Sequence, residues 1–185
     1  MHFTLTDLLT DITQNGAESG ADLVELEVRE TAGSNSEFRF TVKDNGKGMT
    51  PDELKRAQDP FVTDGIKHPN RKVGLGLPFL IQTAEASGGG WEMDSEKGKG
   101  TRVSAWFDLA NVDTPPVGDI PGMFRAVLLF DGPAEMVIRR LRETPETRID
   151  YEARKTELTD ALGELETTKS LILLDQYLRS LEESE

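Results

Sequence analysis

Cysteine is absent from the 185 residues, which excludes thiol nucleophiles, thiolate-bound metals and any disulfide framework. Long apolar runs are absent too: nothing approaches the roughly 20 residues a membrane-spanning helix requires. The opening "MHFTLTDLLTD" has no basic n-region of the kind that starts a secretory signal. Positive charge is scarce, with 21 Lys+Arg against 34 Asp+Glu and a formal net charge of -13. A general nucleic-acid binder needs basic surface to displace counterions from phosphates, so the charge argues against that class while leaving room for a local basic patch. Together these absences predict a soluble, cytoplasmic chain with neither membrane nor nucleic acid as a partner.

What is present describes a foldable globular chain. The hydrophobic fraction of 36% and charged fraction of 30% allow a real core. The length fits one domain plus a substantial extra element. Apolar residues at Leu5, Leu8, Leu9 and Ile12 predict a helix running to about Glu18. "DLVELEVRE" and "EFRFTVKD" alternate as strands do, and the Gly-containing "TAGSNS" between them predicts a hairpin. A capping box at Thr50 and Glu53, with Pro51 at the first helical position, predicts a second helix. "DPFVTDGIKHPNRK" has no clean period and reads as a loop. A further helix is expected from Leu75 to about Ser87, then a hairpin around "EKGKG" with Trp91, Met93, Val103, Ala105 and Phe107 alternating.

The Pro/Gly-rich "NVDTPPVGDIPG" marks a boundary. The expected division is 1–110, a linker at 111–122, and an extension over 123–185. In the extension "MFRAVLLF" reads as a short buried helix. "EMVIRRLRETPETRIDYEA" reads as a hairpin turning at "TPET", with a broken helix as its rival, and two helical segments follow.

Three spaced motifs carry chemistry. In "DITQN", Asp11 and Asn15 stand one helical turn apart and share a face. Asn15 offers a hard carbonyl oxygen suited to Mg²⁺, and Asp11 a carboxylate able to orient or deprotonate a water. An ordinary solvated helix face has the same pattern. In "DNGKGM", Asn-Gly is a hairpin-turn signal, but the capping box just downstream sends the chain into a helix. Gly46 and Gly48 then permit close backbone approach or positive φ, and Asp44 can accept a hydrogen bond from an exocyclic amine. In "KVGLGLPFL", Gly74 and Gly76 precede a helical stretch, an arrangement that favours anions at the helix N-terminus. No G-x-x-x-x-G-K-[ST] string occurs.

In order and spacing, residues from about Leu5 to Leu109 resemble the ATPase superfamily shared by histidine kinases, DNA gyrase, the heat-shock chaperone of that group and mismatch-repair ATPases. "DITQNGAESGAD" is similar to its N box, "DNGKGM" to its G1 box, "DPFVTDG" to the F-box region of its ATP lid, and "VGLGLPFL" to its G2 box. "GGGWEMDSEKGKGTRVSAWF" resembles the kinase-type ending with a G-x-G-T turn. The resemblance implies an α+β fold: a two-layer sandwich of helices on a mixed, mostly antiparallel sheet (the Bergerat type), here with a small C-terminal extension. It implies ATP and Mg²⁺ as cofactors. Asp44 is implied to bind the adenine amino group with support from Thr101, and Asn15 to ligate Mg²⁺. Gly46 and Gly48 are implied to line the adenine site, Gly74, Leu75 and Gly76 to lie against the phosphates, and Asp11 to take the catalytic acid's place.

The departures set the functional expectation. Asp11 stands where hydrolysing members carry Glu and histidine kinases often carry Asn. Glu18 replaces a basic residue frequent in kinases, and Lys72 and Val73 replace the first glycine and the hydroxyl of the G2 box. Lys72, with Arg71 and Lys67, can bring positive charge to phosphates, or is simply a solvated loop lysine. The chain begins almost at its N-box helix, and its only histidines are His2 and His68. A stand-alone domain without its own histidine phosphorelay is therefore expected. The leading expectation is a nucleotide-dependent regulatory module with slow or no hydrolysis, acting on a protein partner. The alternative is a serine/threonine kinase of the anti-sigma-factor type.

Overall fold

The computed structural model describes residues 3–59 and 76–183. Helix α1 (Leu5–Ala17) buries Leu5, Leu8, Leu9 and Ile12, as their spacing predicts, and a capping box between Thr4 and Asp7 starts it. Strands β1 (Leu23–Thr31) and β2 (Glu37–Asp44) form the predicted hairpin. Helix α2 (Pro51–Ala57) carries the predicted capping box: Thr50 accepts from the Glu53 amide, and the Glu53 carboxylate accepts from the Thr50 amide. Helix α3 (Gly76–Ala86) leads into β3 (Gly90–Glu96) and β4 (Gly100–Asp108), which pair antiparallel around "EKGKG".

Helix α4 (Ile120–Leu128) begins three residues before the expected "MFRAVLLF" stretch, inside the segment read as linker. Pro121 occupies its first turn, where a missing N–H costs no helical bond. The linker is tied down elsewhere: the Pro116 and Val117 carbonyls accept from the amides of Leu5 and Thr6. They thereby satisfy two donors that every helix start leaves open. Strands β5 (Glu135–Glu143) and β6 (Arg148–Arg154) form an antiparallel hairpin rather than a broken helix. Helices α5 (Lys155–Leu162) and α6 (Thr168–Glu182) complete the chain.

All six strands join one sheet in the order β3-β4-β2-β1-β5-β6, antiparallel except where β5 lies parallel to β1. Helices α3, α1, α4 and α6 pack side by side over one face, the two-layer α+β arrangement that the resemblance implies. The inner face is built from aligned rows, such as Met93–Val103–Val42–Leu26–Ile138–Ala153. Alternate residues point the other way, and many of them are charged. There Arg39 lies over the Trp106 ring at 4.5 Å, and Glu27, Glu37 and Glu152 pair with neighbouring arginines.

On β5 an arginine breaks the apolar pattern of the inner face. Arg140 is 2% exposed and lies beside Val28 and Tyr151 in register. Its guanidinium donates to Glu30 (2.6 Å) on β1 and to Glu182 (3.0 Å) at the end of α6, and the Tyr151 hydroxyl donates to Glu182 as well (2.8 Å). Burial opposes the charge on Arg140, but the two carboxylates outweigh it and raise its pKa. Burial, then the Glu182 charge, pushes the Tyr151 hydroxyl well above its ordinary pKa of 10.0.

Candidate nucleotide site

The inner face of the sheet changes from apolar to polar at one end. Beyond the row Val42–Val103–Met93, the next inward row is Asp44–Thr101–Ser95, in register across β2, β4 and β3. Alternation in three separate strands therefore brings three oxygen-bearing side chains together. The Thr101 and Ser95 hydroxyls are 2.9 Å apart, and Ser95 Oγ accepts the Met49 amide at 2.9 Å.

Asp44 is the buried charge of this row, at 7% exposure. Burying a carboxylate is costly unless donors replace its water. Here the Gly46 amide donates to its Oδ1 at 2.9 Å, and the Ser19 hydroxyl at 3.0 Å. Among the described residues no cation pairs with it and no hydrogen bond reaches Oδ2. Oδ2 faces Gly16 of α1, where an added Cβ would lie 3.7 Å from it. An acceptor-only group held on one side and open on the other suits a neutral N–H donor such as an exocyclic amine.

The glycines have definite packing reasons. A Cβ on Gly46 would run into the Ser19 side chain, and one on Gly48 into the Glu96 carbonyl. Gly48 also has φ +58, a conformation that disfavours other residues. Gly100, at φ +108, is likewise close-packed: a Cβ there would run into the Asp44 carbonyl. The loop is bonded on both flanks: the Lys47 amide donates to the Ser19 carbonyl, and the Gly98 amide to the Lys47 carbonyl. Lys97 reaches Glu53 at 3.3 Å, tying α2 to the same turn. The Thr50 amide, then Lys97, lowers the Glu53 pKa.

Asp11 and Asn15 are both exposed, one turn apart on α1. Gly76, at the start of α3, is set against the first of them: a Cβ there would lie 3.4 Å from Asp11 Cβ. The N-box helix and the helix that follows the glycine pair thus meet at Asp11. Lys72, Gly74 and Leu75 lie outside the described residues, as do Lys67, Arg71, the two histidines and nearly all of "DPFVTDGIKHPNRK". Ser19 and Ser95 join the site without having been expected from the sequence. Ser95 had a signal, since its alternation with Trp91 and Met93 points it inward. Ser19, just beyond the end of α1, had none.

The chain is similar to several known proteins. A putative sensor protein of Shewanella frigidimarina is 30% identical over 109 residues, which are 59% of this chain and 16% of that protein. Sporulation kinase E of Bacillus subtilis is 34% identical over 97 residues, 52% of this chain and 13% of that one. The chain thus spans less than a quarter of the length of these relatives. Among solved structures, a histidine kinase domain from the blue-light activated histidine kinase of Erythrobacter litoralis covers 49% of this chain and 35% of its own, at 23% identity and a TM-score of 0.30. Residues 3–111 match the family model described as histidine kinase-, DNA gyrase B-, and HSP90-like ATPase, and the chain belongs to that family.

Proposed function

We propose that this protein binds Mg²⁺-ATP as a nucleotide-dependent regulatory module, with slow hydrolysis or none, and acts through a protein partner. The observation that carries the reading is Asp44, a buried carboxylate with one oxygen held and the other open beside Gly16. In this reading Oδ2 accepts the adenine amino group, with Thr101 beside it. Asn15 offers a carbonyl oxygen to Mg²⁺, which would help to neutralise the phosphates when bound. Gly74, Leu75 and Gly76 give backbone to the phosphates, and Lys72 gives charge.

The expectation of slow turnover rests on Asp11. It occupies the face where an acid would act, but lacks one methylene of a glutamate, and proton-transfer geometry tolerates little displacement. The relatives named above are a putative sensor protein and a sporulation kinase, which lends no support to the anti-sigma-factor alternative. ATP labelled in its γ-phosphate tests the reading. Slow phosphate release, faster in Asp11→Glu and slower in Asp11→Ala, is the expected result. Rapid wild-type release that neither variant changes would overturn it.

A further inference from the structure

Ser19 stands outside every role assigned so far, yet it touches the central carboxylate. Its hydroxyl has a single proton and two acceptors within reach: the Gly16 carbonyl at 2.7 Å and Asp44 Oδ1 at 3.0 Å. Gly16 is the residue that faces Asp44 Oδ2. The hydroxyl therefore bridges the two walls of the same small space, the end of α1 and the end of β2. The Gly46 amide is the other donor to Oδ1. Two donors on one oxygen fix the plane of a carboxylate, whereas one donor leaves it free to rotate about its Cβ–Cγ bond. Gly46 itself has no room for a side chain because Ser19 occupies that space.

We infer that Ser19 is a specificity-determining positioning residue: it fixes the Asp44 carboxylate so that Oδ2 is presented to a 6-amino group on a purine. The inference rests on the nucleotide reading above and adds the residue that sets base selectivity. Removing the hydroxyl leaves the backbone intact, since the Ser19 amide and carbonyl keep their bonds to Gly16 and Lys47. Asp44 would still be held by Gly46, but its second oxygen would no longer be directed. The consequence falls on ligands that carry the amino group and spares those that lack it.

The test compares wild type and Ser19→Ala by calorimetric titration with Mg²⁺-ATP and with the triphosphate of purine riboside, which lacks the 6-amino group. Thermal melting of both proteins is recorded alongside. The expected result is a loss of about tenfold in ATP affinity, the scale of one hydrogen bond to a charged group. The purine riboside triphosphate should change by less than about twofold, and melting should stay a single cooperative transition at a modestly lower temperature, since the buried Asp44 carboxylate loses one donor. Equal losses for both ligands, or none for either, would overturn the role of Ser19 and leave ATP binding intact. Failure of the wild type to bind ATP at all would overturn the nucleotide reading and this inference with it.

Discussion

Replacing Glu182 by alanine should destabilise the protein out of proportion to its place at the end of the last helix. The Arg140 side chain is 1% exposed and depends on two carboxylates, Glu30 and Glu182. Stripping a buried charge of its partner costs about 3–5 kcal/mol. Glu30 remains at 2.6 Å in the variant, so only part of that penalty applies. The Tyr151 hydroxyl simultaneously loses its acceptor, a further cost of about 1–3 kcal/mol for a buried unsatisfied donor. The sum is roughly 3 kcal/mol, which for a chain of this size lowers the melting temperature by about 6–12 °C. Chemical denaturation followed by circular dichroism measures it. The same substitution in an Arg140→Met background should cost much less, because the two residues share one network. A loss under about 0.5 kcal/mol, or full additivity with Arg140→Met, would refute the reasoning.

Two other perturbations have defined outcomes. Tyr151 has a raised pKa, so its stabilising contribution is fully present below pH 10.0 and is lost as pH climbs towards the folded value. Denaturation midpoints of the wild type should therefore fall above that pH, and those of Tyr151→Phe should fall less steeply. Parallel slopes would contradict the assignment. Gly48→Ala should destabilise more than Gly20→Ala. Both have positive φ, which costs alanine about 1–2 kcal/mol, but only at Gly48 would the new Cβ strike a carbonyl, that of Glu96. Equal melting temperatures for the two variants would show that the contact with the β3–β4 turn is dispensable.

Local signals made much of this fold legible from sequence. Helix α1 was visible because its four apolar positions repeat with helical spacing. The start of α2 was visible because a capping box with proline is a nearly complete description of a helix entry. Both N-terminal hairpins followed from alternation interrupted by glycine. The parallel pairing of β5 with β1 was not legible, since it joins segments more than 100 residues apart and leaves no local mark. The Arg140 cluster was hidden for the same reason. Its members come from β1, β5, β6 and α6, and an arginine in "VIRRLRE" looks like any solvated strand residue. In the candidate site, Asp44 was named from the glycine-containing motif it opens and Thr101 from the family resemblance, whereas the row they form with Ser95 depends on cross-strand register. Ser19 lies beyond the end of a helix, and only the tertiary approach of β2 gives its hydroxyl a partner.

In the proposed reading, Asp44 is the residue on which nucleotide binding depends most directly. Isothermal titration of wild type and Asp44→Asn with Mg²⁺-ATP tests that directly. The carboxylate is an acceptor on both oxygens, while the amide keeps one acceptor and adds donors that oppose an amino group. The predicted result is saturable wild-type binding, weakened at least about tenfold in the variant, or ~1.4 kcal/mol. No binding by the wild type, or equal affinity for the two proteins, would contradict the account.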